Sequence, residues 1–311
     1  MTDTSASASG MPRGLAVVLA LTAVYVIWGS TYLGIRFALE GGYPPLLMAG
    51  GRFLLAGLMM LAVLRWRGMP LPTRAQWKNL AVMGFLMMGL GNGMVTLAEQ
   101  WVSSGLTAVA VASAPLWMGL FASIRGQHPK RLEWIGLCIG FVGVLWLNAG
   151  SSLSGEPKGL IALLIAPIAW AFGSIWSRGR DMPSPFMSAA GQMICGGAMM
   201  LAAGAVTGES FQGMPTLKGS LAVVYLITFG SIIGFTAYVW LLDHVRPTLA
   251  GSYAYVNPVI AVMLGAWLAA ESFTAHDLGA MLVILLGVVA ITLAKGRAPK
   301  PAPPRTADET P

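Results

Sequence analysis

The sequence predicts an all-α membrane protein in which ten transmembrane helices form two inverted five-helix repeats, with both termini in the cytoplasm. Three observations predict this fold. Apolar residues make up 56% of the 311 positions and charged residues only 10%, whereas a soluble domain carries about 25% charge. The charges are confined to segments between apolar stretches, and the chain matches itself at an offset of about 140 residues.

Ten apolar stretches predict helices that cross a bilayer, because a hydrocarbon core needs about 20 helical residues. A helix satisfies its own backbone hydrogen bonds in lipid, and no strand-like alternation competes. Among Asp, Glu, Lys, Arg and His residues, only Arg52 lies inside a stretch. The stretches cover residues 14–35, 46–64, 79–98, 104–124, 134–149, 159–177, 186–206, 219–242, 248–270 and 278–294.

The distribution of Lys and Arg between the stretches predicts the orientation. Counted from a cytoplasmic N-terminus, fifteen of these residues fall on the cytoplasmic side and three on the outer side. If one helix were missed or added, the Lys and Arg residues would no longer fall mainly on one side. Their uneven distribution therefore also supports the number of spans. The net charge of +7 is therefore explained by topology, and without a long loop to form a binding domain we expect no nucleic-acid partner.

Internal similarity predicts a duplication. At an offset of 140, residues 45–62 match residues 185–202 at eight of eighteen positions, and Pro115 pairs with Pro258 at an offset of 143. Each half then holds five spans, an odd number, so the second half enters the membrane from the opposite side. The predicted organisation is a disordered tail at 1–12, a first repeat at 13–150, an inverted repeat at 151–296 and a disordered tail at 297–311.

Inverted repeats are the architecture of secondary transporters, in which a substrate site lies near the midplane. We therefore expect a small-molecule substrate and a lipid bilayer as partners, in a monomer or weak homodimer. A non-transporting scaffold, or an oligomer formed through the small residues Gly136 and Gly140, is the alternative of another class.

Five short motifs follow one another along the chain: residues 28–32 (WGSTY), Pro45 with Arg52, 91–96 (GNGMVT), 170–174 (WAFGS) and 252–258 (SYAYVNP). As an ordered set they resemble the ten-helix EamA-type exporters of the drug/metabolite transporter superfamily. The chain resembles these exporters, and especially their YedA-like branch, over residues 14–294. The resemblance implies two inverted EamA units in a bacterial cytoplasmic membrane. It also implies substrates among amino acids, nucleobase-like metabolites, sugars and drugs.

Arg52 is the first candidate for the substrate site. An ionisable group at its depth costs about 2.5–3.5 kcal/mol and usually faces a cavity or a partner. Its guanidinium would bind a substrate carboxylate; a structural lock onto backbone carbonyls is the alternative. Its counterpart in the second repeat is Gln192, which we also predict to bind substrate. Asn92 and Thr96 share one face of the third stretch, and we expect them to line the cavity rather than only join helices.

Pro115 and Pro258 lie near the middle of the fourth and ninth stretches. A proline inside a helix frees the carbonyl four residues earlier, here those of Val111 and Ala254. Carbonyls freed at the midplane are acceptors for an ammonium group, and two ordinary kinks are the alternative. Because the two prolines occupy matching positions in the two halves, we predict that they belong to the substrate site or form a hinge.

Aromatic and amide side chains are expected to complete the cavity wall, although some would instead be interface anchors. The predicted wall residues are Trp28, Tyr32, Trp170, Tyr238, Tyr253 and Asn257. Arg36, Glu99 and Trp101 come at the ends of spans, and we predict them to be gating or end residues.

The sequence lacks the residues that several other functions would require. The three histidines lie outside the apolar stretches, and no stretch contains a pair of ionisable residues. We therefore expect no enzyme activity, no metal and no cofactor. The absence of a carboxylate inside a stretch favours an uncoupled facilitator over a cation pump.

The predicted function is export of amino acids or amphipathic, amino-acid-like solutes by alternating access. Drugs, purines or sugars are the alternative substrates.

Overall fold

The computed structural model describes residues 13–102, 104–149, 156–269 and 274–294, which fold almost entirely into helices. The tails predicted at 1–12 and 297–311 lie outside the described residues. The first half contains α1 (Arg13–Glu40), α2 (Pro45–Trp66), α3 (Arg74–Met83), a π-helix π1 (Gly84–Gly93), α4 (Met94–Ala98), α5 (Ser104–Ala112), α6 (Ala114–Ile124) and α7 (Arg131–Leu147). The second half contains α8 (Pro157–Trp176), α9 (Pro185–Val206), α10 (Leu217–Tyr225), π2 (Leu226–Phe235), α11 (Thr236–His244), α12 (Pro247–Gly251), α13 (Tyr253–Ala269) and α14 (Ala275–Leu293).

Eight helical segments in the described part of the chain are long and apolar enough to cross a membrane. They correspond to eight of the ten predicted stretches, which agrees with an α-helical membrane protein. The other two stretches correspond to α7 and α13, each 17 residues long. The count of ten spans stays a prediction.

The two halves carry interruptions at equivalent places. The π-helices π1 and π2 begin 142 residues apart, at Gly84 and Leu226, and each joins two α-helical parts of one long segment. The segment α5–α6 breaks at Ser113, and α12–α13 breaks at Ser252. A π-turn is wider than an α-turn and is frequent at functional sites. The fold therefore places irregular backbone inside four long segments.

Glycines bring two helix pairs so close that their backbones touch. On α2 and α9, a Cβ added to Gly197 would lie 2.5 Å from the Leu54 nitrogen. On α7 and α14, a Cβ added to Gly287 would lie 2.5 Å from the Gly140 nitrogen, and one added to Gly136 would lie 2.7 Å from the Gly287 oxygen. The small residues Gly136 and Gly140 are thus used inside the bundle.

Arginines join several helix ends at one end of the bundle. Arg125, after α6, donates a hydrogen bond to the Ile175 carbonyl of α8 at 2.8 Å. Arg178, after α8, donates to the carbonyls of Leu242 and Val245 at the end of α11. Carbonyls in the last turn of a helix have no partner in that helix, so each guanidinium satisfies acceptors of a neighbouring span.

A buried ion pair continues this connection to α7 and α14. Arg246, the N-cap of α12, lies 2.6 Å from Glu133 of α7, whose side chain is 3% exposed. Thr248 donates a second hydrogen bond to the same carboxylate, and Arg246 also donates to the Ile291 carbonyl at 3.0 Å. We call the contacts of Arg125, Arg178 and Arg246 the arginine clasp. It ties together helices from both halves of the chain.

Candidate functional site

A cavity of about 100 Å³ lies between helices of both halves. It has room for several waters or part of a small solute, because one water needs about 10–15 Å³ measured in this way. The wall is mostly apolar, with a few polar side chains that converge on it. The lining residues are Trp28, Thr31, Tyr32, Ile35, Arg52, Phe53, Met88, Gly91, Asn92, Val95, Thr96, Val111, Ala114, Ala166, Pro167, Trp170, Gly230, Phe235, Tyr253 and Asn257.

Arg52 supplies the only formal charge among these lining residues. Its side chain is buried, Nη2 donates to the Asn92 Oδ1 at 3.1 Å, and the guanidinium lies 4.4 Å from the Phe53 ring centroid. Its Nε is buried without a hydrogen-bond partner. Arg52 therefore presents an unused N–H donor to a poorly hydrated site, where a buried donor left unpaired costs about 1–3 kcal/mol.

Asn257 supplies the complementary acceptor. It is 2% exposed, and its Oδ1 is buried without a hydrogen-bond partner. Its amide interacts with the Tyr32 hydroxyl of α1, and both residues line the cavity. One cavity thus holds an unused donor on α2 and an unused acceptor on α13. Unsatisfied buried polar groups in a pocket are a reason to look for a ligand.

Aromatic rings form the opposite wall. The Trp28 ring centroid lies 5.7 Å from that of Trp170 and 4.7 Å from that of Tyr253, both in edge-to-face geometry. The Trp28 Nε1 donates to the Gly230 carbonyl of π2, and the Trp170 Nε1 donates to the Tyr238 hydroxyl at 3.0 Å. Because both indole N–H groups are already bonded, these rings offer apolar faces and edges to a solute.

Glu99 directly follows α4 and is partly buried. Its charge acts on Arg52 and on Tyr32, but the described residues contain no direct ion pair between Glu99 and Arg52. Burial raises the pKa of the Glu99 carboxyl to about 7, and the positive charge of Arg52 opposes this shift. Glu99 is therefore a titratable group next to the site.

Eight of the ten residues predicted to bind substrate line this cavity, and the structure brings them together from five spans. They are Trp28, Tyr32, Arg52, Asn92, Thr96, Trp170, Tyr253 and Asn257. Tyr238 lies behind the wall, fully buried against Trp28 and Trp170. Gln192 is fully buried on α9 outside the lining, and neither atom of its amide group has a partner.

The predicted hinge and end residues are more scattered. Val111 lines the cavity, whereas Ala254 is buried outside the lining. Pro115 lies at the start of α6, just after the break at Ser113, while Pro258 lies inside α13, six residues after the break at Ser252. Arg36 and Trp101 also lie outside the lining: Arg36 pairs with Glu40 at 2.7 Å, and the Lys158 ammonium lies 4.3 Å from the Trp101 ring centroid.

Sequence reasoning missed several lining residues. Pro167 lies inside α8, and the rule applied to Pro115 and Pro258 would have identified it. Gly230 and Phe235 belong to π2, which no residue pattern had indicated. Among the described residues, no group of three or more His, Cys, Asp or Glu is placed to hold a metal ion.

Comparisons with known proteins identify relatives over most of the chain. The model of the EamA-like transporter family matches twice, at residues 14–149 and 157–293. The "Uncharacterized inner membrane transporter YedA" of Escherichia coli K12 is 47% identical over 277 residues, covering 89% of this chain and 90% of that protein. The "Uncharacterized transporter YvbV" of Bacillus subtilis is 26% identical and covers 91% and 93%. A crystal structure with 20% identity matches with a TM-score of 0.76, over 91% of this chain and 98% of the other, which supports the fold.

Proposed function

Because the chain belongs to the EamA-like transporter family, we propose that it exports small metabolites that bear a carboxylate, most of all amino acids or amphipathic, amino-acid-like solutes. The observation that carries this proposal is the pair of unused polar groups in one cavity, the Arg52 Nε donor and the Asn257 Oδ1 acceptor. An inner-membrane relative, YedA, supports a place in the bacterial cytoplasmic membrane.

The proposed binding mode assigns one charged end of the solute to each unused group. A carboxylate accepts from the Arg52 guanidinium, whose fork of donors suits carboxylate geometry. An ammonium group donates to the Asn257 Oδ1. We assign the Val111 carbonyl as a second acceptor, because Val111 lines the cavity and Pro115, four residues later, has no N–H to donate to it. Apolar side chains of the solute contact the faces and edges of Trp28 and Trp170. A zwitterion with an apolar side chain satisfies all of these contacts at once.

The proposed mechanism is alternating access between two inverted repeats, at 13–150 and 151–296, with ten spans and both termini in the cytoplasm. The double match to the family supports a duplication. The paired π-helices, the paired breaks and the contacts of α2 with α9 and of α7 with α14 also support two related halves. The arginine clasp would close the cytoplasmic end, because Arg125, Arg178 and Arg246 belong to segments assigned to that side. Exchange of this kind needs no coupling ion.

A monomer or weak homodimer suffices for this mechanism, since the cavity is lined within one chain. Lipid surrounds the bundle, which exposes many large apolar side chains on its outer surface. A static scaffold would not need unsatisfied polar groups around a cavity, and the observations therefore favour transport.

Counterflow in proteoliposomes tests the proposal. Vesicles loaded with unlabelled L-leucine should accumulate labelled L-leucine, and the other nineteen amino acids are then tested in turn. Arg52→Gln, which introduces the residue found at its repeat counterpart Gln192, should slow exchange at least tenfold. The matched control is Arg65→Gln on the same helix, because Arg65 is exposed and bonds only the nearby Met69 carbonyl.

The substrate proposal would be withdrawn if none of the twenty amino acids exchanged. The same vesicles with purines, sugars and cationic drugs would then identify the alternative class. Equal exchange by wild type and Arg52→Gln would remove Arg52 from the site and leave the transport proposal in place.

A further inference from the structure

Glu99 is placed to oppose the positive charge of the cavity. It lies one helical turn beyond Val95, which lines the cavity, and its backbone N–H donates to the Val95 carbonyl at 3.1 Å. From this position its carboxylate acts electrostatically on Arg52 of α2 and on Tyr32 of α1, and both of these residues line the cavity. The described chain holds no direct ion pair between Glu99 and Arg52. The Arg52 Nε donor therefore stays open, while a nearby negative charge lowers the attraction that Arg52 exerts on an anion.

The other charged groups near Glu99 are already engaged. Helix α8 packs against α4, and near its start Lys158 pairs with Glu156 at 3.1 Å. The segment π1, which precedes α4, has no ionisable residue. On α8, π1 and α2, the elements that pack against α4, the charged side chain that acts on the Glu99 carboxyl is Arg52. The Tyr32 hydroxyl of α1 in turn lies within the field of the Glu99 charge. The balance between Arg52 and Glu99 sets the local charge.

We propose that Glu99 is a specificity-determining residue that competes electrostatically with a solute carboxylate for Arg52, so that the ionised form weakens carboxylate binding and promotes release. This inference rests on the proposed function, because it requires a solute carboxylate at Arg52. Glu99 follows the C-terminal end of α4, the end that the predicted orientation assigns to the outer side. The competition would therefore act where an exported solute leaves.

The competition couples carboxylate binding to protonation of Glu99. A bound carboxylate brings a second negative charge near Glu99, so it favours the protonated form of Glu99. Linkage then requires that protonation of Glu99 strengthen carboxylate binding by the same factor. Burial raises the pKa of Glu99 to about 7, which places the transition between pH 6 and pH 8. Affinity for a carboxylate should be higher at pH 6 and lower at pH 8.

Two probes of opposite charge test the sign of the effect. The carboxylate 4-methylpentanoate and the ammonium compound 3-methylbutylamine share a branched apolar end, and both keep their charge between pH 6 and pH 8. Their dissociation constants are measured by calorimetry with the purified full-length protein. If a bound carboxylate and the proton on Glu99 are coupled by about tenfold, which corresponds to one pKa unit, wild type should bind 4-methylpentanoate about fivefold more tightly at pH 6 than at pH 8.

Glu99→Gln is the decisive variant because the prediction is a gain of affinity. At pH 8 it should bind 4-methylpentanoate about fivefold more tightly than wild type under the same coupling, lose the pH dependence, and bind 3-methylbutylamine more weakly. The matched control is Glu156→Gln, which removes an exposed carboxylate near the same end of the bundle and should keep the pH dependence. Damage to the fold would weaken binding of both probes, so it cannot imitate this result.

Three results would overturn the inference. If 4-methylpentanoate binds with the same affinity at both pH values, or if Glu99→Gln binds it no more tightly at pH 8, the competition is absent although the carboxylate site stands. If Glu156→Gln abolishes the pH dependence, a different carboxylate is responsible. If neither wild type nor Glu99→Gln binds 4-methylpentanoate while counterflow also fails for all amino acids, the carboxylate site itself is wrong and the inference falls with it.

Discussion

Removal of the Glu133 charge should destabilise the bundle by about 3 kcal/mol. The Glu133 side chain is 3% exposed and that of Arg246 is 15% exposed, with 2.6 Å between Oε1 and Nη1. The loss of one partner from a buried ion pair typically costs about 3–5 kcal/mol, because the other charge stays buried without compensation. The lower end of this range applies to Glu133→Gln, since the new amide still accepts hydrogen bonds and Arg246 keeps the Ile291 carbonyl.

A double-mutant cycle isolates the pair from the rest of the clasp. Glu133→Gln, Arg246→Gln and the double variant are unfolded with increasing SDS in detergent micelles, and unfolding is followed by tryptophan fluorescence. We expect an interaction energy of about 2–3 kcal/mol, within the range found for residues in direct contact. The control cycle uses Glu156 and Lys158, whose side chains are 60% and 56% exposed. An exposed pair contributes about 0.2–1 kcal/mol.

The reasoning would be refuted by an interaction energy for Glu133 and Arg246 that does not exceed that of the exposed control pair. Such a result would mean that solvent reaches the clasp freely. It would also remove the physical basis for treating the clasp as a closed end of the bundle.

Two other substitutions test the packing and hydrogen bonding inside the bundle. Gly287→Val should lower the free energy of unfolding by about 1–3 kcal/mol through overpacking, because the new side chain would meet the Gly140 backbone, which cannot move aside as a side chain can. The melting temperature in detergent should therefore fall. The control Gly14→Val should leave the melting temperature unchanged, because a Cβ at Gly14 meets nothing within 4 Å. Tyr238→Phe should also lower the free energy of unfolding by about 1–3 kcal/mol, because the Trp170 Nε1 loses its buried acceptor. An unchanged melting temperature would show that another acceptor replaces the hydroxyl.

Much of the cavity was predictable because polar residues are rare in this sequence. Arg52, Asn92 and Asn257 stand out in apolar stretches, where an unsatisfied polar group is costly, and all three line the cavity. The prediction needed only the residue type and its depth in the stretch. Aromatic residues were harder to assign, since Trp28 and Tyr238 have similar surroundings in the sequence but only Trp28 lines the cavity.

Features of the backbone were not predictable in the same way. No residue type specifies a π-helix, so the residues at the ends of π1 and π2 did not indicate where these π-helices begin and end. Proline predicted interruptions, but the breaks lie at Ser113 and Ser252, two residues before Pro115 and six before Pro258. Proline is readily accepted at the beginning of a helix, and this is how α6 uses Pro115.

The arginines that the sequence assigns to the cytoplasmic side served only to predict the orientation of the chain. Arg125 and Arg178 counted toward the excess of positive charge, yet both donate to carbonyls at the ends of neighbouring helices. Every residue has a carbonyl, so the sequence does not show which ones an arginine will reach.

The wide turns of π1 and π2 change which side of a span faces the protein along its length. An ordinary helix keeps one stripe of residues inward from end to end. With a wide turn between them, α3 and α4 present their buried residues, such as Leu80 and Thr96, from different angular positions. If π1 tightened to α geometry, Thr96 would turn about the span axis relative to Leu80. A change in π1 could therefore rotate the side chains of α4 into or out of the cavity while α3 stays fixed in the bundle.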